Sequence, residues 1–296
     1  MIRLLAPAKL NLYLRVLGRR ADGYHELETL FERIDLADEL TFTPQPHGIT
    51  VSTDDPTLDC GPDNLVTKAA RLLQQTFGIA QGAAIRLRKR IPIASGLGGG
   101  SSDAATALLG LNRLWGLGLS TERLRDLAAP LGSDVPFFIE PHPVAIGRGR
   151  GERCESLTGR LPTLWHVLIV PPVRLSTQAI YEGFDASQKL GRGLTESTAL
   201  LTMCVHALRN GSLGELAKGL ASDLEPEAIR RCPVIRAIQT CLREGGCVGT
   251  LTSGSGPAVF GLCQDAAHAR QAARRIHPNA SPEWVVRIVK TFDGSL

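Results

Sequence analysis

The stretch Pro92-Ile93-Ala94-Ser95-Gly96-Leu97-Gly98-Gly99-Gly100-Ser101-Ser102 decides how this chain is read. Four glycines in five positions, then two serines, sit between a strand at 84–91 and a helical stripe of Ala104, Ala105, Leu108, Leu109, Leu111 and Leu114. A strand, a glycine-rich turn and a helix start, in that order, make an anion cradle. Glycine lets the backbone approach an anion, its N–H groups point inward, and the helix N-terminus adds unpaired donors and a favourable dipole. The segment is not a P-loop, since no Gly-Lys-Ser/Thr closes it. Nor is it the dinucleotide fingerprint, because Ser101 stands where a third glycine belongs. A flexible loop or a tight helix-packing turn is the alternative at this level.

Upstream, Leu10, Leu12, Leu14 and Val16 alternate with Lys9, Asn11, Tyr13 and Arg15, the period of a half-buried strand. Lys9 and Asn11 therefore share a face. Asp22-Gly23 reverses the chain; extended stretches follow from Tyr24 to about Leu36 and near residues 40–42. Asn64 to Leu73 carries helical spacing, with Gly78 at or just past its end. Downstream, 121–129 reads as a helix capped by Ser120. Around Ile146–Glu155 the composition shifts, and a domain boundary is expected near residue 152, giving units 1–152 and 153–296. The second unit reads as a strand at Trp165–Val170, helices near 194–209, 212–221 and 234–243, and strands near 247–252 and 258–263. A helix at 266–276 and a strand at 284–289 close it. A β-rich opening followed by mixed elements predicts an α+β protein.

The 296 residues, with 43% hydrophobic and 21% charged, can bury a core without staples and are too apolar for disorder. The net charge of +4 is spread out. Its one dense run, Arg86, Arg88, Lys89 and Arg90, alternates with Ile85, Leu87 and Ile91 and reads as the solvated face of a strand, not a nucleic-acid footprint. No apolar run is long enough to span a membrane, and the start lacks a signal peptide. Seven cysteines, an odd number without C-x-x-C, argue against a disulfide framework and a zinc site and for free thiols in a reducing cytosol. The expectation is a complete, soluble, cytoplasmic chain with no nucleic-acid or membrane partner.

Single residues say less. Asp134, ahead of Val135-Pro136, reads as a helix cap or turn; Tyr24 and His25 follow a turn; Tyr181 reads as a core aromatic. Spacing alone cannot pair Lys9 with Asp134. In order along the chain, however, stand Pro7-Ala8-Lys9-Leu10-Asn11-Leu12, Gly18-Arg19-Arg20-Ala21-Asp22-Gly23-Tyr24-His25, Gly96 to Ala105, Leu131-Gly132-Ser133-Asp134-Val135-Pro136-Phe137 and Ser253-Gly254-Ser255-Gly256. Together they resemble the GHMP small-molecule kinases over essentially the whole chain. The glycine motif is general to that family. The Pro-Ala-Lys-Leu-Asn and Asp-Gly-Tyr-His segments are similar to its branch acting on a cytidyl diphosphate methylerythritol.

The resemblance implies a two-domain α+β fold: an N-terminal ribosomal S5 domain 2-like unit with a left-handed βαβ crossover, and a C-terminal GHMP kinase α/β sandwich. It implies ATP with Mg²⁺, the phosphates lying over Pro92, Ile93, Ala94, Ser95, Gly96, Leu97, Gly98, Gly99, Gly100, Ser101 and Ser102. Asp134 becomes the general base with Lys9 beside it, and Asn11 orients the substrate. Tyr24 and Tyr181 sandwich the cytosine and His25 reads its edge, although the family often has Phe where Tyr181 aligns. Tyr24 and His25 point opposite ways in a regular strand, so both serve only from a turn or bulge. No protein ligand is assigned to the metal, and monomer and homodimer stay open. Another GHMP kinase, acting on homoserine or a mevalonate-type acid, is disfavoured by Asp-Gly-Tyr-His. A non-catalytic binding member is disfavoured by the intact Lys9, Asp134 and glycine loop.

Overall fold

The opening hairpin is longer than its apolar alternation suggests. In the computed structural model, which describes residues 1–187, 194–292 and 294, β1 spans Ile2–Arg19 and β2 His25–Gln45. The turn between them holds Gly23 at φ 85°, where glycine is unstrained. The two stretches expected at 24–36 and 40–42 are one strand, irregular where Ala8 pairs Ile34 and Pro7 pairs Ala37. The chain continues with β3 (Ile49–Thr53), α1 (Leu65–Phe77), β4 (Gly82–Arg88), α2 (Gly99–Leu114), α3 (Thr121–Ala128), α4 (Val135–Ile139), β5 (Val144–Gly149) and β6 (Arg153–Ser156). Asn64 caps α1 by accepting from the Val66 N–H, and Gly78 ends it at φ 62°, as the sequence signals require.

β2 organises the first sheet. One edge pairs with β1; the other pairs with β5 along its first half and β4 along its second. β3 lies parallel to β4, joined by α1. Helices α1 and α2 cover one face, burying Phe42, Leu73, Leu108 and Leu111 in a common core.

After Ser156 the chain crosses to a second sheet. Its elements are β7 (Trp165–Val170), α5 (Thr177–Ser187), α6 (Leu194–Asn210), α7 (Leu213–Gly219), β8 (Ala221–Ser222), α8 (Glu225–Arg231), α9 (Val234–Glu244), β9 (Gly249–Thr252), β10 (Val259–Cys263), α10 (Ala266–Ile276) and β11 (Val285–Lys290). Four strands form it in the order β11-β7-β10-β9, while β8 returns to pair with β1. Residue 152 falls in the turn of the β5–β6 hairpin; the change of sheet comes between Ser156 and Trp165.

This second half explains why β1 is not half-buried. Residues 6–14 are buried on both faces, because a second core joins Leu10, Leu12, Leu30 and Ile34 to Leu168, Phe260, Cys204 and Leu208. The alternation also resets at a register shift between Asn11 and Tyr13, so Tyr13 joins Leu10 and Leu12 while Leu14 enters a third core with Val167 and Ile235. All seven cysteines are free, five of them buried. Among the described residues no helix is long and apolar enough to cross a membrane.

Candidate active site

One cavity of about 1100 Å³ gathers Lys9, Asn11, Tyr24, His25, Pro92 to Ser101, Asp134 and Tyr181 from both halves of the chain. Ser102 is the exception: it is fully buried in the first turn of α2, beneath the loop and not in its lining. Its hydroxyl has no hydrogen-bond partner among the described residues.

The glycine loop is strapped from outside. The Lys9 N–H donates to Leu97 O at 2.9 Å, the Ala258 N–H to Ser95 O at 3.0 Å, and the Ser253 hydroxyl to Gly96 O at 3.0 Å. Gly96, at φ 83°, lies so close to the Ser253 carbonyl that a Cβ would stand 2.2 Å from its oxygen. Gly98, at φ 70°, is the N-cap of α2, and a Cβ there would meet Lys9 Cγ at 2.9 Å. These two glycines answer to packing. Gly100 does not: its Cβ would meet only Leu65 Cδ1, at 3.7 Å. The first α-helical bond runs from the Ser102 N–H to Gly98 O, so the amides of Gly99, Gly100 and Ser101 precede the helical ladder, as an anion site requires.

Behind the loop lies a charge cluster that sequence reasoning missed. Lys89 Nζ bridges Asp38 and Asp103, at 2.8 Å from Asp103 Oδ2. Asp38 also accepts the N–H groups of Arg90 and Ile91, tying down the start of the loop. Burial pushes the Asp103 carboxyl up to about 8, against the pull of Lys89. The reading of the basic run as a solvated face holds for Arg86, Arg88 and Arg90 but not for Lys89, whose side chain is 7% exposed. The available signal is phase: Arg86 and Arg88 alternate outward, and Lys89, just past the end of β4, falls on the inward side with Ile85 and Leu87.

The tertiary fold pairs Lys9 with Asp134. Lys9 Nζ lies 3.5 Å from Asp134 Oδ2, with side-chain exposures of 5% and 31%. Asp134 does stand at the N-cap of α4, yet its carboxylate makes no capping bond and is left to Lys9 and the cavity. Burial lowers the Lys9 ammonium from its ordinary value, and the neighbouring Asp134 partly opposes this. Asn11 accepts from Lys9 Nζ and donates to Thr29 Oγ1 at 2.8 Å; Thr29 in turn donates to Tyr13 O at 2.6 Å. The Asn11 amide is thus committed to holding Lys9.

At the other end of the cavity, Tyr24 sits in the turn and His25 opens β2, which resolves their opposite facing. Tyr24 and Tyr181 each already have a neighbour against one ring face. Tyr181 stacks on His25 at 4.8 Å between ring centroids, and the Arg150 guanidinium lies over Tyr24 at 4.8 Å. Each tyrosine therefore has one face already covered. Sequence reasoning also missed Asp185, whose Oδ1 lies 2.6 Å from His25 Nε2. No local motif marks Asp185 or Arg150.

Comparison with known proteins fits this layout. GHMP kinases N terminal domain matches residues 64–140, and GHMP kinases C terminal matches 204–281. The 4-diphosphocytidyl-2-C-methyl-D-erythritol kinase of Pelotomaculum thermopropionicum is 44% identical over 296 residues, covering 100% of this chain and 99% of the relative. That of Moorella thermoacetica is 44% identical over 283 residues, covering 95% and 96%. A crystal structure of 4-(cytidine 5'-diphospho)-2C-methyl-D-erythritol kinase superposes with TM-score 0.78 at 37% identity, over 97% of this chain and 99% of that one. A homoserine kinase from Cytophaga hutchinsonii shares the fold, with TM-score 0.76 at 19% identity over 99% of this chain and 96% of that one. The chain belongs to the GHMP kinases and, within them, to the family of these 4-diphosphocytidyl-2-C-methyl-D-erythritol kinases.

Proposed function

We propose that this kinase transfers the γ-phosphoryl group of ATP to the 2-hydroxyl of 4-(cytidine 5'-diphospho)-2-C-methyl-D-erythritol, giving the 2-phosphate and ADP in the non-mevalonate route to isoprenoid precursors. The observation that carries the reading is the Lys9–Asp134 pair, 3.5 Å apart, in one cavity with the glycine loop and the Tyr24, His25 and Tyr181 cluster. ATP with Mg²⁺ supplies the phosphoryl group; the rest falls to the chain. The amides of Gly99, Gly100 and Ser101 hold phosphate oxygens. Asp134 accepts the hydroxyl proton as the new O–P bond forms, and Lys9 stabilises the negative charge developing there. Positioning and charge neutralisation are what phosphoryl transfer chiefly needs. Among the described residues no group of three His, Cys, Asp or Glu could hold a metal ion. That suits Mg²⁺, which keeps several waters and binds substrate phosphates with one or two protein oxygens. Tyr24, His25 and Tyr181 take the cytidine end, one tyrosine face each.

An assay of the purified chain with ATP and the cytidyl diphosphate alcohol should release ADP. Transfer to homoserine or mevalonate instead would replace the substrate, and no transfer to any alcohol would favour a binding protein on the same fold. Asp134→Ala should lower turnover about 10²–10⁴-fold with nucleotide affinity unchanged, the range of a lost general base. Near-normal turnover would remove Asp134 from that role.

A further inference from the structure

We infer that Asp185 is a positioning residue for base recognition: it fixes the tautomer of His25, so that the site takes a cytosine amino group and refuses a uracil carbonyl. This rests on reading the Tyr24, His25 and Tyr181 end of the cavity as the nucleobase subsite.

Helix α5 delivers two groups to one imidazole. Tyr181 and Asp185 are four residues apart and so share a helix face. Tyr181 stacks on the ring at 4.8 Å and 26°, while Phe184 meets it edge-on at 6.3 Å. Asp185 Oδ1 lies 2.6 Å from Nε2, and Arg19 Nη1 lies 4.0 Å from the other carboxylate oxygen. The His25 side chain is 9% exposed and lines the cavity. The rings set its orientation; the carboxylate sets its chemistry.

A carboxylate only accepts, so a bond at this distance puts a proton on Nε2. A ring with that one proton keeps a lone pair on Nδ1 to offer the cavity as an acceptor. Cytosine and uracil differ at the edge such an acceptor would meet. The exocyclic amino group of cytosine donates; the carbonyl of uracil brings a lone pair against a lone pair. A site that must be hydrogen-bonded rejects the analogue lacking the donor far better than stacking does, since every base has a face to stack.

The test uses the full-length enzyme with the cytidyl substrate and its uridyl analogue. Asp185→Asn keeps a hydrogen-bonding group beside Nε2 but lets it donate as well as accept, which removes the tautomer bias. It should raise the KM for the cytidyl substrate about 10-fold with kcat and the nucleotide KM unchanged. The preference for cytidyl over uridyl substrate in kcat/KM should fall about 10-fold or more, the size expected for one hydrogen bond. In ¹⁵N spectra the wild-type His25 ring should carry its proton on Nε2, and the Asp185→Asn ring should show both tautomers. Asp185→Glu should restore part of the preference. An unchanged preference in Asp185→Asn, or a wild-type ring protonated on Nδ1, overturns the inference. His25→Ala separates it from the reading beneath: an unchanged KM for the cytidyl substrate there would remove the nucleobase subsite, and the inference with it. A raised KM in His25→Ala with an unaltered preference in Asp185→Asn would remove the inference alone.

Discussion

Lys9 is a lysine placed where burial works against its charge. Its side chain is 5% exposed, and desolvation lowers its pKa from the ordinary 10.5, with Asp134 opposing. Because the ammonium is the working form, turnover should fall as pH rises through a value below the usual lysine range. The unfolded chain holds that proton better, so stability should rise with pH across the same window. Lys9→Arg keeps the cation at all accessible pH, and its remaining activity should lose the alkaline limb. A wild-type kcat–pH profile flat to the ordinary lysine range would contradict the assignment. Asp134 teaches the reverse lesson. Its position ahead of a proline reads as a cap, and the residue does occupy the N-cap, but its carboxylate caps nothing.

At the scale of the loop and helix, the glycines divide by what a Cβ would strike. Gly98 must hold φ 70° against Lys9 Cγ, so Gly98→Ala combines a left-handed backbone, costing about 1–2 kcal/mol, with a clash. It should lower both nucleotide affinity and thermal stability. Gly100→Ala meets only Leu65 Cδ1, at an ordinary contact distance of 3.7 Å, in a helical turn where alanine is favoured by roughly 0.5–1 kcal/mol. It should leave the melting temperature unchanged or raised. Calorimetry and a nucleotide titration on the two variants check both; equal damage from each would mean that the loop is not discriminating in this way. The packing reading fits Gly96 and Gly98, while the phosphate-cradle reading of Gly99 and Gly100 is the proposal that the nucleotide titration tests.

At the scale of the whole molecule, a buried polar contact joins the two sheets. Glu32 of β2 and His166 of β7 are both 0% exposed and lie 2.9 Å apart, and the Thr291 hydroxyl donates to the same carboxylate at 2.6 Å. Removing Glu32 leaves the His166 ring and the Thr291 hydroxyl buried without that partner, so Glu32→Ala should cost about 1–3 kcal/mol per orphaned group in denaturant unfolding. Glu155→Ala, which removes a pair with side chains 46% and 70% exposed, should cost less than about 1 kcal/mol. Comparable losses in the two variants would deny the junction its structural role.

The sequence by itself determined what local physics encodes. The Asp22-Gly23 turn, the Asn64 and Ser120 caps, the strand at Trp165–Val170 and the helix start after the glycine loop are set within a few residues by φ preference, capping and periodicity. Motif order carried the family. Only the tertiary structure decided that Lys9 meets Asp134, that Lys89 is buried between two aspartates, that Asn11 is committed to Lys9, and that His25 lies between Tyr181 and Asp185. It also buried both faces of β1. Each of these outcomes depends on which distant segments the topology brings together, and no periodicity within a segment records what will cover it.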